Sequence, residues 1–342
     1  MRRPLWCSLV AFLLLFVPSR VHAAAPSVEQ FYKTRAVTMY IGLAAGGGYD
    51  LYARLVARHL GRHIPGTPSI VPVNMEGAGS LKLANWLYAA APKDGTAIGT
   101  VNHGVPFLPI VGERAFARFD ARKFTWIGSA NDEVSVCVSW KRTGIETFDA
   151  LRRKELIVGS TGPGADEYEY PRVLTRVLGA KIRSVAGYAG GNDINFAMER
   201  GEVDGRCGWT WSSVISTRRQ WVEEKSINIL LQLALRKHPD LPDVPLVIDL
   251  AKNERERQIL RLVMLRAPFG RPYFAPPGVP ADRAAALRKA FDATMVDPLF
   301  LADAKRSRME ILPVPAATLE ALLEEAYAAP AYIVENARQV LE

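Results

Sequence analysis

The stretch VTMYIGLAAGGGYDLYARLV at 37–56 places a buried strand directly before three glycines and the first turn of an amphipathic helix. Glycines at that junction remove side chains from the point where backbone N–H groups converge. The helix start adds unpaired donors and partial positive charge, so the junction favours an anion. The device recurs at 159–165 (GSTGPGA) and at 187–192 (GYAGGN). A chain that repeats strand, glycine loop and helix is expected to fold as α/β layers, with its ligands beyond the carboxyl ends of the strands.

The N-terminus reads as an export signal. Arg2 and Arg3 precede an apolar run over 5–17 that is short for a membrane span, and Val21-His22-Ala23 suits cleavage after Ala23. Cys7 falls too early in that run for lipid anchoring, and no later run reads as a span. Losing Arg2, Arg3 and Arg20 with no acid lowers the formal charge from +8 to +5. That excess is spread along the chain rather than gathered in a stripe, which argues against nucleic acid. Of the two cysteines that remain, Cys137 and Cys207, each falls in an expected strand, where a free thiol packs as a small apolar group. Pairing in an oxidising compartment stays open.

Strand and helix patterns alternate: strands at 37–42, 69–73 and 96–101, with helices at 50–63 and from Ser80 between them. Residues 133–140 read as a connection between domains. A smaller α/β unit follows, with strands at 156–159, 182–186 and 203–206 and helices from Ala165 and over 192–200. The run INILLQLAL at 227–235 reads as the crossing back, and helices at 281–295 and 316–341 close the chain. The expected division is a signal peptide over 1–23, one lobe from 24–139 and 228–342, and a second lobe over 140–227.

The first glycine loop is not a dinucleotide fingerprint, since Leu51 stands where the third glycine belongs and no Walker lysine follows. The competing reading is a plain tight turn. Asp50 stands at the helix start, able to cap it or to meet a ligand. Candidate ligand residues here are Ala45, Gly46, Gly47, Gly48, Tyr49 and Asp50. The second loop offers Ser160, Thr161, Gly162, Gly164 and Ala165, against a reading as a solvated loop. In the third, Gly190, Gly191 and Asn192 admit close backbone approach, and Tyr188 lies along a ligand or is a half-buried aromatic. His59 and His63 lack the glutamate of a zinc helix and read as a solvated helix end. No metal or cofactor is expected. His103, just after a strand end, either reaches ligand or sits at the surface. Asp193, Glu199, Glu202 and Asp204 cluster in sequence without a paired-carboxylate geometry.

In order along the chain, AAGGGYD, NMEGAGS, PKDGT, GSTGPGA, AGYAGGNDINFAMERGEVDG and LPDVP resemble the motifs of the Bug-type extracytoplasmic solute receptors of tripartite tricarboxylate transporters. The resemblance covers nearly the whole mature chain. It implies a type II periplasmic-binding-protein fold, two lobes joined by crossing strands. It also implies a monomeric, non-enzymatic periplasmic receptor that passes a small organic acid to a two-component membrane permease. Backbone donors of the opposed loops would hold that acid, with Asp204 as a further candidate. Two departures bear on the ligand. Tyr49 replaces a small hydroxyl residue, and Asp166-Glu167-Tyr168 puts acid beside the second loop. Like charges at close range disfavour a dianion. That points to a monocarboxylate, or to a ligand carrying an amine or an aromatic ring. Two readings compete with transport: an exported hydrolase using Ser160 and His103, and a sensor for a signalling partner.

Overall fold

The computed structural model describes residues 26–111 and 116–341; the expected signal peptide lies outside them. The chain first lays down β1 (Val37–Ile41), β2 (Ile70–Asn74), β3 (Ala97–Thr100) and β4 (Thr125–Ser129). It then builds a separate sheet from β5 (Ser135–Trp140), β6 (Leu156–Ser160), β7 (Ile182–Ala186), β8 (Gly205–Thr210) and β9 (Ile227–Leu233). Finally β10 (Pro272–Ala275) and β11 (Val314–Pro315) return to the first sheet. The strand orders are β11-β4-β10-β3-β1-β2 and β7-β6-β8-β5-β9. Among the described residues, no helix is long and apolar enough to cross a membrane.

In the first sheet β1 runs parallel to β2 and β3, whereas β10 runs antiparallel between β3 and β4. An antiparallel insertion brings the amino end of β10 to the carboxyl ends of its neighbours, with Pro272 opposite Ser129. The residues just before β10, Arg266 to Arg271, are therefore delivered to the edge of the sheet where ligands bind in such folds. In the second sheet β6 is parallel to β7 and β8, while β5 is antiparallel to β8 and β9.

The expected domain limits shift accordingly. Ser135–Trp140 and Ile227–Leu233 are not bare connections, because each is hydrogen-bonded along its length inside the second sheet. The helix expected over 316–341 is divided. Residues 316–341 are two helices, Ala316–Tyr327 and Ala331–Leu341, broken before Pro330, which cannot donate to the helical ladder. The second of them packs against Leu108–Val111 and Glu254–Met264 and also bridges to the Asp166–Leu178 helix of the other lobe, where Arg176 Nη1 donates to the carbonyls of Gln339 and Val340 at 3.0 Å.

Each lobe buries its own apolar side chains. Met39, Tyr52, Leu55 and Phe291 belong to a cluster on the first sheet, and Val138, Ile194, Trp209 and Trp221 to one on the second. A larger cluster runs from Leu83, Trp126 and Phe269 across to Val158, Tyr170 and Leu174, so the lobes share apolar contact away from the cleft.

Cys137 on β5 lies opposite Cys207 on β8, and the two form a disulfide within this core. The thiols are thus paired rather than free apolar fillers, and cross-strand register supplies the proximity. The closed loop spans 70 residues. Replacing both cysteines by alanine is expected to remove roughly 2–4 kcal/mol of stability in denaturant titration. A loss near zero would count against the pairing.

Candidate ligand site between the lobes

Four helices start at one place between the two sheets: Gly48–Leu60, Asp166–Leu178, Gly191–Arg200 and Trp211–Glu223. None has a side-chain hydrogen bond at its cap; the cap residues are Gly47, Ala165, Gly190 and Thr210. Four other helices are capped conventionally, with Ser27, Thr147, Asn253 and Asp297 accepting from first-turn N–H groups, whereas those that begin after Ser80, Pro280 and Pro315 also lack a side-chain cap. The helix starts facing the cleft therefore keep donors that no side-chain cap takes up. The cavity they border is small, about 20 Å³. That is room for little more than a water, so the two lobes lie close together at this point.

From the first lobe the cavity receives Leu43, Gly47, Gly48, Tyr49 and Asn102; from the second it receives, among others, Glu167, Gly191, Asn192 and Arg206. Gly48 has no space for a side chain: a Cβ there would lie 1.9 Å from Ser213 Oγ, across the cleft. A Cβ on Gly47 would sit 3.9 Å from the N of Gly191 and 4.0 Å from that of Asn192. The first and third glycine loops thus face each other.

The other expected site residues lie outside the cavity. Asp50 is buried behind its loop, where it accepts from the Gly46 N–H at 2.9 Å, from Arg54 Nε at 2.9 Å and from Asn74 Nδ2 at 2.9 Å. Its oxygens are engaged by the protein, where they brace the loop, and it does not line the cavity. Ala45 and Gly46 are exposed at the rim. Gly190 packs beside Ala44, and Tyr188 is half-buried against the second lobe's core, donating its N–H to the Ser160 carbonyl at 3.2 Å.

The second loop packs as an interface between lobes. The carbonyls of Gly162 and Pro163 lie where a Cβ on Gly79 would be, at 2.8 and 2.9 Å. Gly164 is pressed against Val105 and Leu108. Ser160, Thr161 and Ala165 are buried and do not line the cavity, although Thr161 Oγ1 lies 3.4 Å from Glu167, which does. Asp204 precedes β8 at the end opposite Thr210 and pairs with Arg142 at 3.5 Å, so the run of the strand carries it away from the site. Replacing Asp50 by alanine is expected to cost about 1–3 kcal/mol in unfolding experiments through the loop's lost hydrogen bonds. Asp50→Asn, which keeps an acceptor for Gly46, should cost less; equal losses would refute the positioning role.

Buried charge surrounds the cavity. Arg271 Nη2 lies 2.7, 2.7 and 2.8 Å from the hydroxyls of Thr210, Ser212 and Ser213, and 3.0 Å from Glu133 Oε1. Its guanidinium stacks over the rings of Tyr49 and Tyr52. The Tyr49 hydroxyl accepts from the His103 backbone N–H at 3.1 Å, and burial holds that phenol well above its ordinary pKa. Arg266 pairs with Glu169 and His103 faces Asp166, both across the cleft. His103 is therefore neither a ligand contact nor a surface group. Ser160 Oγ is buried with no hydrogen-bond partner, so no serine–histidine contact is formed. His59 is also buried, and both His59 and His63 pair with aspartates, Asp303 and Asp297, at 3.0 and 2.7 Å.

The sequence reading passed over Arg206, Thr210 and Ser213. Arg206 carried a signal: it is the single charge in GRCGWT, a strand buried along its whole length. Thr210 and Ser213 belong to a fourth strand–helix junction with hydroxyls in place of glycine, which a search for glycines cannot find.

Two α/β lobes, each built on its own mixed sheet and facing each other across a cleft, match the type II-like fold of periplasmic binding proteins, and the chain's structural neighbours include Bug- and TctC-type solute-binding proteins. Periplasmic binding protein BugD superposes with a TM-score of 0.72 at 20% identity, covering 90% of this chain and 99% of that one. MatC from Rhodopseudomonas palustris, solved with bound malate, gives 0.68 at 20% identity, again over 90% and 99%. A further R. palustris protein, solved with adipate, gives 0.69 at 19% identity over 89% and 97%. In sequence, the chain is 24% identical over 298 residues to a UPF0065 protein of the TAR-I ttuE-ttuC′ intergenic region of Agrobacterium vitis, 85% of this chain and 80% of that one. No family model matches.

Proposed function

We propose that this protein is a periplasmic solute receptor, which closes its lobes on a small organic carboxylate and delivers it to a two-component membrane permease. The observation that carries the reading is the meeting of four uncapped helix starts and the buried Arg206 guanidinium at one cavity between the lobes. Donors from both lobes make closure and binding one event, since an anion completes contacts that neither lobe supplies alone. The malate and adipate in the two R. palustris structures agree with the ligand class.

Calorimetric titration of the exported protein with mono- and dicarboxylates tests the reading. Saturable binding of an organic acid, with a raised melting temperature, is the expected result. Failure of every carboxylate to bind would overturn it.

A further inference from the structure

The cavity contains one cation and one anion of the protein's own, and their contacts are incomplete. Three acids open the Asp166–Leu178 helix, yet they point to different fates. Asp166 faces His103 and accepts from Ser135 Oγ at 3.0 Å, and Glu169 is held by Arg266. Glu167 alone lines the cavity. Beyond the backbone N–H of Glu167 itself, its side-chain partners are distant for charge-assisted bonds: Thr161 Oγ1 at 3.4 Å and Arg206 Nη2 at 3.5 Å. Arg206 is 8% exposed, and its Nε is buried with no hydrogen-bond partner. Its Nη1 donates to the Gly191 carbonyl at 3.2 Å and makes a longer contact with Asn195 Oδ1 at 3.4 Å. Both side chains therefore keep unused capacity at the cavity wall, one as donor and one as acceptor.

Resting on the receptor reading above, we propose that the ligand is a small zwitterion, an amino acid whose carboxylate meets Arg206 and the helix starts while its ammonium meets Glu167. A second carboxylate would be set against the Glu167 carboxylate, and like charges at that range repel. An apolar tail would leave the same carboxylate buried with poor partners. An ammonium brings three donors and the opposite charge. Burial also pushes the Glu167 carboxyl upward against the pull of Arg206, and a bound cation would hold it ionised.

Two matched probe sets test this by calorimetry at neutral pH: β-alanine, butyrate and succinate, then 4-aminobutyrate, pentanoate and glutarate. Within a set only the end opposite the carboxylate changes. The amino member of at least one set is expected to bind about tenfold or more tightly than its counterparts. Glu167→Gln, verified as folded by circular dichroism, should erase that preference and improve the diacid. The wild-type ranking stands as evidence even if the variant does not fold. A tighter diacid, no preference among the ends, or an unchanged ranking in Glu167→Gln would overturn the zwitterion while leaving a carboxylate receptor intact. Silence from all six probes, with other carboxylates binding, would also overturn the zwitterion alone; silence from every carboxylate would overturn both.

Discussion

Replacing Arg206 by methionine is expected to lower carboxylate affinity by about 2–4 kcal/mol, roughly 30- to 1000-fold. The guanidinium lines the cavity, stacks 5.1 Å from the Trp209 ring and pairs with Glu167. Methionine keeps most of the volume and the contact with the ring while removing every donor. Burial draws the Arg206 pKa down, but a guanidinium stays charged in proteins, so the cost of burying it is already met in the folded state. The single variant leaves Glu167 without its cation, which destabilises a buried site in its own right. The double variant Arg206→Met/Glu167→Gln separates the two effects. It should recover most of the melting temperature and none of the carboxylate affinity. Recovery of binding along with stability would show that Arg206 serves the fold and not the ligand.

A comparable loss is expected from a single methyl group. In Gly48→Ala the new Cβ falls 1.9 Å from Ser213 Oγ and 2.8 Å from Ser213 Cβ. The hydroxyl is not free to turn away, because Thr210 Oγ1 and Arg271 Nη2 both hold it at 2.8 Å. The clash is resolved by parting the lobes, each of which retains its own core. If closure falls to about 1% of molecules, apparent affinity falls about a hundredfold. Small-angle scattering should show a larger radius of gyration with unchanged helix content. Adding Ser213→Gly removes both clashing atoms and should restore closure. An alanine variant that closes and binds normally would show that the Gly48–Ser213 approach is not needed.

Local pattern carried much of this fold to the surface of the sequence. The β1–glycine–helix unit stands where its alternation and glycines put it, and the helix expected at 281–295 is the helix Ala281–Met295. What local pattern does not hold is which junction faces which across a cleft. The loops at 46–48 and 159–165 look alike as strings. One borders the cavity, and the other is packed backbone to backbone against Ala78 and Gly79. That difference depends on how the second lobe docks, a matter of shape between residues roughly 80 positions apart. Ser135–Trp140 reads as a connector for a similar reason. Its partners, β8 and β9, arrive 65 or more residues later. Asp50 was legible as a participant but not as a loop brace, because its role depends on Asn74 from the neighbouring strand.

The helix starts left uncapped have a consequence for how such a protein can change. A main-chain N–H is present whichever residue occupies the position, proline excepted. The share of the pull on negative charge that main-chain donors supply, as opposed to the share from Arg206, is therefore largely beyond the reach of ordinary point substitutions. Other side chains at the cavity wall, Tyr49 and Glu167 among them, vary independently of it. A lineage built on this frame can exchange one nutrient for another without passing through an intermediate that holds nothing.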